Sequence, residues 1–424
     1  MTETQRLQME LDEMTAELLD RYEELNLLYD LGSEFASVFE IERISEIAAA
    51  KASQAIGATK ALVAVAGQEG LRVTASIGAS ELTPGGLSEH VAATGRELLL
   101  HEDEPAPEGA RRGAGEDGPL LAVPLLPPGE GGEPLGVLAL AGKPGDARFT
   151  AGDAKLAAAV ASQLSAAVYT SRLVESQRAA EAVRREIELA SGIQRALLPE
   201  HPPAVPGTAL AAAYVPAATV GGDYYDFLVD DAGRLSLVIA DVAGHSIGSA
   251  LMMAMARSIL RREITVGEHP AAVLAATNAA LFDDLVRSGL FITVFCARLD
   301  PRTRVLEYAN GGHNPPFLHR AGGAVTEELD VDGAPLGILA ELEFQRGSVQ
   351  LGAADVILLY TDGVTEAAAA GGEQFGEERL RALVGASSAG NLVEDVLSAV
   401  RAHAGGAPQS DDVTLVTLRV EDAP

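Results

Sequence analysis

Four short segments in the second half of the chain place aspartate where an apolar run ends or beside glycine. They are Gly221-Gly222-Asp223-Tyr224-Tyr225-Asp226, Ala240-Asp241-Val242-Ala243-Gly244-His245, Tyr360-Thr361-Asp362-Gly363 and Ser410-Asp411-Asp412-Val413-Thr414. A strand end in such a position can aim its side chain into a shared pocket. Clustered carboxylates repel one another, so a fold that gathers them needs cations to offset the charge. Ligands that are all oxygen suit hard divalent ions, Mg²⁺ or Mn²⁺, rather than zinc.

The surrounding pattern says how the ends can meet. Between residues 205 and 421, strand-like runs cover Ala209–Val215, Ser236–Asp241, Phe291–Leu299, Val305–Asn310, Phe317–His319, Val356–Tyr360 and Val413–Val420. Helical runs cover Ile247–Glu263, Ala271–Ser288, Glu377–Val384 and Leu392–His403. Strands come first in pairs, then helices, then strands again, an order that argues for an α+β sandwich and against a parallel βαβ array. Asp223 and Asp241 are separated by a strand–turn–strand stretch with its turn at 229–234, and a hairpin of that kind returns the second carboxylate to the level of the first. Asp362 follows the run Val356–Tyr360, and Asp411 precedes Val413–Val420. Two ions held by four carboxylates suit polarisation of a phosphoryl oxygen and activation of a water for in-line attack on phosphorus.

At 424 residues the chain is too long for one core, and two or three domains are expected. Residues 5–30 read as a charged helix whose apolar seam, Leu7, Leu11, Met14, Leu18, Leu25 and Leu28, steps by fours and threes, a short heptad pattern that predicts helix pairing and a homodimer, the alternative being an amphipathic helix lying on its own domain. A helix follows at Ile41–Ile56. Strands are expected at Ala61–Ala66 and Leu71–Ser76 around the turn Gly67-Gln68-Glu69-Gly70. A second helix at Leu87–Thr94 follows the breaker Pro84-Gly85-Gly86, and further strands lie at Leu98–Leu100, Leu120–Leu126 and Leu135–Leu140. Residues 102–118, rich in Pro, Gly and charge, read as a long loop. From Asp153 to Leu198 only Gly192 interrupts a helical pattern that Pro199 stops, with Val183, Ile187, Ala190, Ile193 and Leu197 on one stripe. Such a helix would be a stiff connector that carries a signal, the alternative being a plain spacer.

Charge and composition exclude several classes. A formal charge of −30 repels phosphate backbones and anionic membranes, so nucleic-acid binding is not expected. No run reaches a membrane-spanning length, and the polar N-terminus is unlike a signal peptide, so the expected location is the cytosol. The single cysteine, Cys296, lies in an apolar run and reads as a buried structural thiol. His201, His269, His319 and His403 read as surface or packing residues.

Two resemblances add to this. The strand Leu135–Leu140, followed by Phe149-Thr150-Ala151-Gly152-Asp153 and a long helix, resembles the end of a GAF domain, which would cover about 25–170 as an antiparallel sheet with flanking helices. Related GAF domains bind cyclic nucleotides, haem, bilins or nothing. Here no cysteine is available for bilin attachment, and His90 and His101 are poor haem candidates. The division that follows is a coiled-coil-like helix at 1–30, the GAF domain at 25–170, a connecting helix at 153–198 and a catalytic domain at 200–421.

The four acidic segments, in this order, resemble metal-dependent serine/threonine phosphatases of the PPM class, in the SpoIIE/RsbU-like branch, over roughly 190–421. The segment Ile193-Gln194-Arg195-Ala196-Leu197-Leu198-Pro199 and the turn Ala309-Asn310-Gly311-Gly312-His313-Asn314-Pro315-Pro316 match the branch too. The resemblance implies two antiparallel sheets flanked by helices, and two Mn²⁺ or Mg²⁺ ions. Carried over by position, Asp241 would bridge both ions with the Val242 carbonyl near one, Asp362 and Asp411 would complete the first shell of one ion, and Asp223 would serve the other. Asp226 and Asp412 would make supporting or water contacts. His313 and Asn314 would shape the turn or the margin of the site. The implied substrate is a phosphoprotein, a phosphorylated anti-sigma-factor antagonist of a partner-switching pathway, with a small-molecule or protein signal read by the GAF domain.

One residue departs from the pattern: Ser246 stands where the family has glycine. If that position needs φ > 0, serine strains the loop before Ile247, with Gly248 as relief. That departure is the sole support for a catalytically weak or inactive regulator that keeps the fold. A nucleotide cyclase, suggested by Gly221-Gly222-Asp223, leaves Asp362-Gly363 and Asp411-Asp412 unexplained.

Overall fold

The computed structural model describes residues 3–421 except 68–69, 79–82, 84, 114–117, 130, 146, 245, 324–325 and 387–390. The turn residues Gln68 and Glu69, the breaker Pro84, His245 and the side chain of Leu7 therefore lie outside the described residues. The chain divides into two compact units, Met1–Ala182 and Val183–Pro424. Among the described residues no helix is long and apolar enough to cross a membrane.

The first unit opens with helices α1 (Glu3–Phe35) and α2 (Ile41–Ile56), the hairpin β1 (Lys60–Gly67) and β2 (Gly70–Ile77), and helix α3 (Leu87–Thr94). Strands β3 (Leu98–Leu100), β4 (Leu120–Leu125) and β5 (Gly136–Ala141) complete a sheet of order β2-β1-β5-β4-β3, antiparallel at every pair. Both faces are covered. On one, Leu31, Ile44, Ala48, Val63, Leu138 and Leu164 form a core between the sheet and α1, α2 and the long helix α4 (Ala151–Leu197). On the other, α3 packs Leu87 and Val91 against Leu62, Ala122 and Val137. Strands buried on both faces explain why β4 and β5 read as unbroken apolar runs rather than alternating ones. Four residues of the α1 seam are left bare within the single chain: Leu11, Met14, Leu18 and Leu25 are all more than half exposed, whereas Leu28 is half-buried.

The second unit holds two five-stranded antiparallel sheets. The first has the order β13-β10-β9-β8-β7, built from β7 (Tyr224–Val229), β8 (Leu235–Val242), β9 (Ile292–Asp300), β10 (Val305–Gly311) and β13 (Gly347–Gln350). The second has the order β12-β11-β14-β15-β6, from β6 (Thr208–Val215), β11 (Phe317–His319), β12 (Thr326–Glu328), β14 (Val356–Tyr360) and β15 (Val413–Val420). Leu237, Ile239, Phe295, Leu359, Val416 and Leu418 fill the space between the sheets. Helices α5 (Ile247–Val266) and α6 (Pro270–Ser288) cover the outer face of the first sheet through Met253, Leu260 and Leu281. The one-turn helix α7 (Asp362–Thr365), with α8 (Glu377–Ala386) and α9 (Leu392–Ala404), covers the second through Val364, Leu380 and Val396. The sandwich expected from strand order is present; the short β12, β13 and α7 had no periodicity to announce them.

Candidate active site

Antiparallel pairing brings the four acidic segments to one end of the sandwich. Asp223 immediately precedes β7 and Asp241 is the next-to-last residue of β8, with Tyr224 opposite Ala240. Asp362 follows β14 and Asp411 lies just before β15, with Tyr360 opposite Leu415. Direct bonds then join the segments. Val242 N donates to Gly222 O at 3.3 Å, and Gly222 N donates to Asp412 Oδ2 at 2.8 Å. Thr361 N donates to Thr414 O at 3.1 Å. The hydroxyls of Thr361 and Thr414 both donate to Asp223 Oδ2, the first at 2.8 Å. The loop ahead of Asp223 tolerates only glycine: a Cβ on Gly222 would lie 2.4 Å from Val242 O and 3.1 Å from Asp241 Oδ1.

Electrostatics report the same convergence. Asp223 is 2 % exposed, and burial, then the charge of Asp241, raise its carboxyl well above the usual carboxylate range against the pull of the two threonine hydroxyls. Asp241 is pushed up to about 7 by burial and then by the charges of Asp362, Asp411 and Asp412. Asp362 is raised by burial, Asp411 and Glu366. Yet no three His, Cys, Asp or Glu side chains among the described residues are gathered tightly enough to hold an ion as they stand. The two observations agree once distance is considered: charges interact over several ångströms, whereas coordination needs about 2.0–2.6 Å. Asp223 and Asp241 come within hydrogen-bond reach of each other, while Asp362 and Asp411 act on Asp241 through their charge. An all-oxygen donor set of that kind, with the Val242 carbonyl at its edge, fits a hard divalent cation.

The remaining expected residues fall in different places. Asp412 spends both oxygens on backbone N–H groups, Oδ1 on Ala217 and Oδ2 on Gly222, so it ties loops together. Asp226 is corrected: strand alternation turns it away from Asp223 toward α5, where Arg261 Nη1 and Tyr224 Oη sit 2.6 Å from its Oδ2. His313 is 4 % exposed; its Nδ1 lies 2.8 Å from Thr293 Oγ1, and Thr293 stands opposite Asp241 in the β8–β9 pair. Asn310 brackets His313, accepting from its N–H at 2.8 Å and donating to its carbonyl at 2.9 Å. Burial holds the His313 imidazole neutral, down at about 4. Asn314 hydrogen-bonds Tyr360 at the end of β14.

Ser246 is also corrected. Its φ is −98°, and it caps α5 by accepting from Ser249 N at 3.2 Å, a favoured role for serine. The positive φ of this loop, 85°, belongs to Gly244. Cys296 is buried and its thiol is pushed up to about 12, as a structural thiol requires. Thr361 and Thr414 sat inside the acidic segments, but nothing in their spacing singled them out.

With this geometry in place, the family "Stage II sporulation protein E (SpoIIE)" matches residues 231–421, and "GAF domain" matches residues 8–168. "Phosphoserine phosphatase RsbU" of Bacillus subtilis (strain 168) is 31% identical over 245 residues, 56% of this chain and 70% of that protein. The chain belongs to the SpoIIE family of metal-dependent protein phosphatases. A second relative, "Phosphoserine phosphatase RsbP" of the same organism, is 32% identical over 187 residues, 43% of this chain and 46% of its own length. Among solved structures, the "SiaA-PP2C domain of Pseudomonas aeruginosa" is 24% identical and superposes with a TM-score of 0.50 over 57% of this chain and 99% of that domain, which supports the fold.

Proposed function

We propose that the C-terminal unit hydrolyses phosphoserine or phosphothreonine in a partner protein, with Asp223, Asp241, Asp362, Asp411 and the Val242 carbonyl as the groups that hold two Mn²⁺ or Mg²⁺ ions. The observation that carries this is the bonding of all four acidic segments into one cluster through Gly222, Asp412 and Thr361. Bound ions would supply Lewis acidity and a water of lowered pKa for attack on phosphorus. The chain's own contribution is positional. Thr361 and Thr414 fix the rotamer of Asp223, Asp412 anchors its loop, and neutral His313 braces the strand opposite Asp241. The unstrained Ser246 removes the argument for an inactive regulator.

Likeness to RsbU and RsbP supports the finer reading that the substrate is a phosphorylated anti-sigma-factor antagonist in a partner-switching pathway. In that reading the GAF domain takes a small-molecule or protein signal, the bare seam of α1 pairs with a second copy, and the protein works in the cytosol. The test is phosphate release from a phosphoserine peptide with Mn²⁺ and with chelator. Mn²⁺-dependent release is expected; release that survives chelation refutes the reading.

A further inference from the structure

The helix α4 ends in Gln194-Arg195-Ala196-Leu197, and Gln194 is not a surface residue of a spacer: it is 6 % exposed. Both ends of its side-chain amide bind one backbone residue. Nε2 donates to Gly221 O at 2.6 Å, and Gly221 N donates to Oε1 at 3.1 Å. Gly221 has no freedom on its other side, where a Cβ would lie 1.8 Å from Asp412 Oδ2 and 2.4 Å from Tyr214 Oη. The next residue, Gly222, gives its N–H to Asp412 and its carbonyl to Val242 N, and the one after that is Asp223. One glutamine thus sets the height of a three-residue loop whose last member is a carboxylate of the cluster.

We propose that Gln194 is a positioning residue for the metal-holding carboxylates, so that the last turn of α4 forms part of the site. The inference rests on the metal reading above. Both hydrogen-bonding groups of Gly221 lie where water cannot easily replace a partner, and a loop that loses this clamp shifts Asp223 relative to Asp241.

The experiment measures Mn²⁺ binding to the full chain by calorimetry, alongside its thermal midpoint. Gln194→Met keeps the length of the side chain and removes both hydrogen bonds. It is expected to weaken Mn²⁺ binding about tenfold to a hundredfold, the usual range for residues that orient ligands. Phosphopeptide turnover should fall at limiting Mn²⁺ and recover toward the wild-type rate at saturation. Ile193→Ala, at a neighbouring exposed position, should bind Mn²⁺ as the wild type does. If Gln194→Met does not fold, Gln194→Glu replaces it, since it keeps the acceptor for Gly221 N–H. Wild-type Mn²⁺ affinity in either folded variant, even with a lowered midpoint, overturns the proposal by leaving Gln194 a purely structural role. A wild-type chain that binds no Mn²⁺ removes the metal reading itself, and the clamp's role with it.

Discussion

Strands β4 and β5, in the middle of the N-terminal sheet, are buried at every residue, and β14 of the C-terminal unit is buried in the same way. β8 differs at one place: its burial is broken only at Asp241. β4 and β5 are Leu, Val and Ala apart from Pro124 and Gly136, and the cores on both faces of their sheet are apolar. The C-terminal strands β8 and β14 are also largely apolar along their length, and Asp241 and Asp362 come where that length runs out. A sheet covered on both faces carries charge along its length only where partners meet it, as carbonyls meet Arg298 in β9 and Arg261 meets Asp226 in β7, because a buried ionised group without partners costs far more than one strand contributes. At the strand ends partners are supplied by neighbouring segments: Asp223 is 2 % exposed but accepts from the hydroxyls of Thr361 and Thr414. Stability and chemistry are thereby placed on different residues of the same strands.

That separation can be broken by experiment. The largest effect is expected from Asp241→Asn, which should lower phosphate release by about a thousandfold or more, the scale on which loss of a principal catalytic group is felt. Its thermal midpoint without metal should stay level or rise, because one member of a mutually repelling set is gone. A fall in both would mean that Asp241 is a structural residue.

The opposite experiment is made in the N-terminal sheet. Leu138→Ala, at a site with no exposure, should destabilise the first unit by about 3 kcal/mol in denaturant unfolding. Mn²⁺ affinity of the C-terminal unit should not change, and a large change would contradict the separation.

His313 offers a pH test of similar size. Its folded-state value near 4 lies below the ordinary 6.5, so the native state prefers the neutral ring. The stabilisation is complete above about 6.5 and is lost as pH falls through about 4, a change on the order of 3 kcal/mol. His313→Gln should flatten the stability profile over that window, as read from urea midpoints at pH 4 to 7.

Smaller effects sharpen the picture. Thr414→Val removes one of two hydroxyls on Asp223 and should weaken Mn²⁺ binding about tenfold while the fold is kept. Arg261→Ala leaves Asp226 buried with Tyr224 and Phe227 N–H as partners; since Arg261 is itself 41% exposed, the expected loss is only about 1–2 kcal/mol in unfolding, with little change in turnover.

The sequence by itself determined the elements and where the acidic segments fall among them. Apolar runs of period two and stripes of period 3.6 are local consequences of burial, so β1, β8, β14 and α6 could be read to within a residue or two. The four aspartates were legible because each interrupts such a run at its end. The tertiary structure alone decided which polar neighbours serve them. Asp226 was expected to support the acidic cluster or its water, but three residues along a strand change the face, and α5 holds its partner. Ser246 looked like a strained substitution until its φ showed that Gly244 bears the positive angle. Gln194 lies 27 residues from Gly221, and Thr414 lies 191 from Asp223. Hydrogen bonds over such separations depend on where sheets and helices stack, and a linear pattern carries no record of that.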